Sequence, residues 1–162
     1  MSLRPIVLAS GSASRRAILA AADVPFDIIR PDVDEDAVKT AMTGEGAQRL
    51  AETLAAKKAL AVAAPGALVI GSDQVLVCGR ERFSKVASLP QARAVLQSLR
   101  GREHQLVTAV ALACDKNLLW QYCETVTLTM RDFSDSFLDE YLAKEGDACL
   151  SSVGCYRLEG LG

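Results

Sequence analysis

Near the start of this chain, small hydroxylated residues lead into two arginines: Ser10-Gly11-Ser12-Ala13-Ser14-Arg15-Arg16, directly after the apolar run Pro5-Ile6-Val7-Leu8-Ala9. A strand, a tight small-residue turn and a helix start together make an anion site. Backbone N–H groups and hydroxyls point at the ligand, the helix dipole favours negative charge, and guanidinium groups bind phosphate oxygens bidentately. The chemistry suggested is recognition of a polyphosphate. The P-loop pattern and the GxGxxG dinucleotide fingerprint are both absent. A serine helix cap followed by solvated arginines is the competing reading of the same residues.

Asp73 is the strongest single candidate for chemistry. It is embedded in Val69-Ile70-Gly71-Ser72-Asp73-Gln74-Val75-Leu76-Val77, where a carboxylate is costly to bury unless paired, hydrogen-bonded or bound to metal. Gly71 would let a ligand or a neighbouring stretch of chain approach closely. The acidic cluster Asp32, Asp34, Glu35 and Asp36 has the oxygen ligands for a hard cation that bridges to phosphates, or is a solvated loop. Lys57 and Lys58 fall in a helical segment, and Lys85 follows a turn; alone, none is distinctive. Glu159, beside Gly160 in an apolar final run, resembles Asp73 in kind.

Strand-like and helical patterns alternate around these residues. Residues 4–9 suit a first strand, 15–22 a helix and 25–30 a second strand, followed by the acidic stretch within a polar connection. The segment from Glu45 to Ala63 is rich in Ala, Leu, Lys and Glu and predicts a long helix stopped by Pro65-Gly66. The run around Asp73 is a buried strand with a polar knot, and a short extended piece follows at Glu81–Lys85. Residues 89–100 are an amphipathic helix closed by Gly101. Two β-rich runs, 103–114 and 118–131, are expected as antiparallel neighbours across the Asp115–Asn117 turn, and a helix spans Asp135 to Lys144. The closing CYRLEG is strand-like, and no terminal helix or polar tail follows it.

The bulk properties narrow the function classes. A length of 162 residues suits one domain, or one domain with two lobes, with a real core. Half the residues are apolar and the net charge is −2, which gives no electrostatic basis for nucleic-acid or membrane-surface binding. No apolar run approaches a membrane span, and the N-terminus lacks a signal peptide's long apolar region. The five cysteines have no CxxC spacing and there is a single histidine, His104. They are expected to be reduced packing thiols in a cytoplasmic protein, not disulfides or zinc ligands.

In combination the motifs resemble the Maf family of nucleoside triphosphate pyrophosphatases, also called septum formation inhibitors. That family's LASxS and Arg-Arg match Leu8-Ala9-Ser10-Gly11-Ser12 and Arg15-Arg16, and its VDE matches Val33-Asp34-Glu35. Its LAxxKA matches Leu54-Ala55-Ala56-Lys57-Lys58-Ala59, which selects Lys58 over Lys57. Ile70-Gly71-Ser72-Asp73-Gln74-Val75 carries its glycine and aspartate, and Ala92, Leu99, Gly101, His104 and Thr108 follow a further element in order. The closing motif resembles Val153 to Gly162. Departures are Ala13-Ser14 where the family has proline, Ser84-Lys85-Val86 for GKP, and Thr108-Ala109 for TG. Family members normally continue some thirty residues further, adding a strand and a helix, so residues 1–162 resemble a single Maf-like domain lacking them.

The resemblance implies an α/β fold: an extended mixed β-sheet with flanking helices and two lobes around a cleft, like inosine triphosphate pyrophosphatases. It implies hydrolysis of a nucleoside triphosphate to the monophosphate and pyrophosphate, as nucleotide-pool house-cleaning. Ser10, Ser12, Arg15 and Arg16 would hold the triphosphate. A divalent ion, Mg²⁺ with Mn²⁺ as the alternative, would be held by Asp73, Glu35 and phosphates. Asp73 would activate water or place the metal, two roles the sequence does not separate. Glu35, Lys58 and Lys85 would complete the charged cleft, and Gln74 and Glu159 would read the base or orient water. Gln74 and Glu159 look more like the 7-methyl-GTP branch than the dTTP/UTP branch, although Ser14 replaces the aromatic residue that branch often has before its arginines. A nucleotide-binding regulator of septum formation is the competing function, and the resemblance leaves a homodimer open.

Overall fold

The computed structural model describes residues 4–158 and 160–162. In chain order the elements are β1 (Ile6–Ala9), α1 (Ala13–Ala21), β2 (Asp27–Ile28), α2 (Glu35–Ala41), α3 (Ala47–Ala61), β3 (Leu68–Cys78), β4 (Glu81–Phe83), α4 (Leu89–Leu99), β5 (Glu103–Cys114), β6 (Asn117–Thr129) and α5 (Asp135–Glu145). A 3₁₀ turn over Gly146–Ser151 follows. The strands form one mixed sheet in the order β2-β1-β3-β5-β6, with β4 hydrogen-bonded to β3. β1 is parallel to both β2 and β3, whereas β4 is antiparallel to β3. The expected α/β class with a mixed sheet and flanking helices is what the chain adopts.

Two compact units divide the chain. The first contains residues up to Gln74 together with Thr108–Glu124, and the second contains Val75–Val107 together with Thr125–Gly162.

Local sequence accounts for the helices of the first unit. Ser12 caps α1 by accepting from the Arg15 N–H, and Asp34 caps α2 by accepting from the Ala37 N–H. The acidic stretch is therefore not wholly a polar connection. Asp34 starts a helix whose first turn holds Glu35 and Asp36, where negative charge complements the helix dipole. In α3 the buried residues are Leu50, Ala51, Leu54, Ala55, Lys58 and Ala59, a stripe at four-residue spacing. Gly71 faces that stripe. A Cβ there would stand 2.2 Å from the Ala55 carbonyl oxygen and 2.5 Å from the Ala59 nitrogen. The close approach that a glycine in this strand signals is thus by helix α3 itself.

The second unit encloses its own core of Leu76, Leu96, Leu99, Leu138, Tyr141 and Cys149 with further apolar residues. Ser88 caps α4 and Ser134 caps α5, while Gly101 (φ +66°) ends α4 in the left-handed conformation. The strand-like reading of CYRLEG is corrected here. Gly154 (φ +83°) and Cys155 (φ +61°) turn the chain so that Cys155 and Tyr156 are buried, and no described residue after β6 is a strand. All five cysteines are free, and four are buried.

Several strand boundaries also differ from those expected, β2 most of all. The second strand is limited to Asp27–Ile28, although the Ile29 N–H still donates to the Leu8 carbonyl. β5 and β6 join through the two-residue turn Asp115-Lys116, both residues at positive φ, and so run antiparallel. Among the described residues no helix is long and apolar enough to cross a membrane.

Candidate active site

Gly71 sets up the site. Because α3 lies directly on β3 there, a residue one turn along the helix meets a residue two positions along the strand on the same face. Those residues are Lys58 and Asp73. The Lys58 Nζ stands 2.6 Å from Asp73 Oδ1 and 2.8 Å from Glu35 Oε1. Lys58 and Asp73 are each 7% exposed, so this ammonium is bound to two carboxylates with little water around it. Glu35 is more open and also faces Lys39 Nζ at 3.8 Å. Lys57, its neighbour in sequence, is exposed.

The small-residue loop joins the group from β1. Ala9 is paired with Gly71, so Ser10 follows β1 as Ser72 and Asp73 follow that pair in β3. Ser10 is buried. Its Oγ accepts from the Ser12 N–H at 3.1 Å and from Arg15 Nη1 at 3.4 Å. Burial lowers the pKa of the Arg15 guanidinium, and the negative charges of Asp73 and Glu35 oppose that shift. Arg16 is exposed on the first turn of the same helix. Gln74 points outward from β3 and its Nε2 donates to Thr108 Oγ1 at 2.9 Å.

Ser10, Arg15, Glu35, Lys58 and Asp73 therefore gather within the first unit; Ser12 is half-buried as the α1 cap, Arg16 is exposed, and Gln74, alternating with Asp73 along β3, projects to the other face of the sheet. Lys85 is exposed in the second unit, just after β4. Glu159 lies outside the described residues. Sequence reading passed over Thr108 as a partner of Gln74, and it treated Arg30 only as the end of a strand. The Arg30 guanidinium lies across Gly11: its Nε is 3.3 Å from where a Gly11 Cβ would stand.

The charges of the inner group nearly cancel, with Arg15 and Lys58 against Glu35 and Asp73. A triphosphate entering this site must find its counter-charge elsewhere. Among the described residues, no three His, Cys, Asp or Glu side chains gather as a metal-binding group. Two neighbouring carboxylates nonetheless suit Mg²⁺, which is usually held by one or two carboxylates with substrate phosphates and water completing its shell. The donor set fits a cation that arrives with its phosphate ligand, not one caged by protein alone.

A family model described as Maf-like protein matches residues 5–162. The chain belongs to the Maf family. Among its relatives, a nucleoside triphosphate pyrophosphatase of Granulibacter bethesdensis is 48% identical over 97% of this chain and 82% of its own length. A protein of the same name from Paramagnetospirillum magneticum is 47% identical over 96% of this chain and 82% of its own. A 7-methyl-GTP pyrophosphatase of Brucella abortus is 42% identical over 97% of this chain and 81% of its own. Within this Maf-family chain, the loop, the lysine and the two carboxylates are contributed by β1–α1, α3, β3 and α2 in turn.

Proposed function

We propose that this chain hydrolyses nucleoside triphosphates between the α- and β-phosphates, releasing a nucleoside monophosphate and pyrophosphate, with 7-methyl-GTP as preferred base. The observation that carries the reading is the buried Lys58 ammonium held between Asp73 and Glu35 beside the Ser10–Arg16 loop. Carboxylates, a cation and a phosphate-suited loop in one place are what a phosphoanhydride hydrolase needs.

The bond-making step is attack of water oxygen on the α-phosphorus. The bond from that phosphorus to the α,β-bridging oxygen breaks, and pyrophosphate leaves. Asp73 takes the water's proton as general base. Lys58 holds the Asp73 and Glu35 carboxylates in place, and its charge allows both to remain close together. Arg15 and Arg16 neutralise charge that builds on the phosphate oxygens and the departing pyrophosphate. Asp73 and Glu35 would hold a divalent ion, Mg²⁺ or Mn²⁺, whose contribution is to neutralise and polarise the phosphates.

The base preference rests on Gln74 following Asp73, the amide's capacity both to donate and to accept, and the likeness to a relative named for 7-methyl-GTP. The test is phosphate detection after added inorganic pyrophosphatase, over a panel containing 7-methyl-GTP, GTP, dTTP and UTP with Mg²⁺ or Mn²⁺. The highest kcat/KM with 7-methyl-GTP is expected. Preference for dTTP or UTP overturns the base assignment, and no turnover with any triphosphate overturns the enzyme reading in favour of a binding regulator.

A further inference from the structure

The inner cations of the site are balanced by its carboxylates, two against two. Lys58 is shared between two carboxylates, and Arg15 donates to Ser10 in the field of Asp73 and Glu35. A triphosphate therefore draws further charge from outside this balanced group, from exposed Arg16 on α1 and from Arg30, which lies against the loop. β2 runs parallel to β1 with Leu8 opposite Ile28, and the Ile29 N–H donates to the Leu8 carbonyl. Arg30 thus leaves the sheet beside Ser10 and Gly11, at the carboxyl ends of two parallel strands. That end is where open α/β sheets bind ligands.

The side chain then lies back over the loop. Where a Gly11 Cβ would stand, Arg30 Nε is 3.3 Å, Cζ 3.7 Å and Cδ 3.8 Å away. Gly11 has no side chain, so the guanidinium can lie against the loop backbone. Arg30 is exposed, and its guanidinium makes no hydrogen bond or ion pair among the described residues. Five residues further on, the same connection delivers Glu35 to Lys58. One short segment therefore places a carboxylate inside the site and a guanidinium at its rim.

We infer that Arg30 is a further substrate-binding residue, which grips the phosphates beyond the reacting one, the future pyrophosphate, across Gly11. The inference rests on the proposed triphosphate site. A guanidinium presents paired donors to phosphate oxygens, which a lysine cannot reproduce in geometry.

The test measures nucleotide kinetics and, separately, binding of inorganic pyrophosphate by calorimetry with Mg²⁺. In Arg30→Ala, KM for the triphosphate rises about tenfold with kcat within about twofold, and pyrophosphate binds about tenfold more weakly. Binding of the nucleoside monophosphate is unchanged, Arg30→Lys recovers part of the loss, and Gly11→Ala gives a smaller shift in the same direction. Pyrophosphate binding by Arg30→Ala equal to that of the unmodified protein overturns the inference, as does no pyrophosphate binding by the unmodified protein. If the unmodified protein turns over no triphosphate yet binds pyrophosphate in an Arg30-dependent way, the hydrolase reading falls and the Arg30 grip stands.

Discussion

Both units of the molecule bury polar side chains, but they do so differently. In the first unit Lys58, Asp73 and Ser10 are buried with Arg15 and Glu35 beside them, four formal charges drawn from four elements. In the second unit His104 is buried deeper still, at 2% exposure, with Nε2 2.8 Å from the Tyr156 hydroxyl and the rings edge to face. Among the described residues that pair has no carboxylate partner; His104 Nδ1 faces the Arg102 carbonyl at 3.5 Å, and Leu96, Leu128 and Leu138 line the same cavity. Burial of a polar group alone does not mark a site. Convergent charges drawn from several elements do, because a structural pair satisfies itself whereas a reactive one must still meet a ligand.

Substitutions can break this contrast. The largest effect is expected for Asp73→Asn, which keeps the shape and removes the base: turnover falls about 10³-fold. Circular dichroism should be unchanged, and the urea midpoint should fall less than for Lys58→Met because Glu35 still pairs Lys58. Next is Gly71→Val, whose side chain would enter the backbone of α3, starting with a Cβ 2.2 Å from the Ala55 carbonyl oxygen. It should cost about 3 kcal/mol in urea unfolding and also lose activity by separating Lys58 from Asp73. Lys58→Met, which strips the counter-charge from the buried Asp73, should lose about 3 kcal/mol by the same measurement.

The second unit answers differently. Tyr156→Phe should lower stability by about 1 kcal/mol while leaving kcat/KM unchanged. The smallest effects are alkaline. Burial pushes the Cys155 thiol up to about 11 and the Tyr156 phenol up to about 12, so the fold favours their neutral forms. Their contribution is complete below the ordinary thiol value of 9.0 and is lost as pH rises through 11 and then 12. Denaturation series should show stability falling across that window, with the upper part of the fall reduced in Tyr156→Phe and the rest carried by the buried Tyr141 phenol, which burial also pushes up.

Much of the site was legible because its residues violate their local patterns. Asp73 interrupts an apolar strand, and Lys58 falls on the same helical stripe as Leu50, Ala51, Leu54 and Ala55. Either departure requires a partner, and each residue is the other's. The start of α2 was less legible because four acidic residues in five look like a solvated loop, yet Asp34 caps the helix and the next two favour its dipole. The segment around Cys155 and Tyr156 misled because burial there comes from turns at Gly154 and Cys155, not from strand alternation. Arg30 was beyond a linear reading. Its position over Gly11 depends on the parallel register of β1 and β2, which no local pattern encodes.

The central claim is that the Lys58–Asp73–Glu35 group directs water onto the α-phosphorus of a nucleoside triphosphate. Turnover in ¹⁸O-labelled water tests it most directly, with the products separated and weighed by mass spectrometry. The account predicts one ¹⁸O in the nucleoside monophosphate and none in the pyrophosphate, with the signal lost in Asp73→Asn. Label in the pyrophosphate, or undiminished turnover by Asp73→Asn, would contradict it.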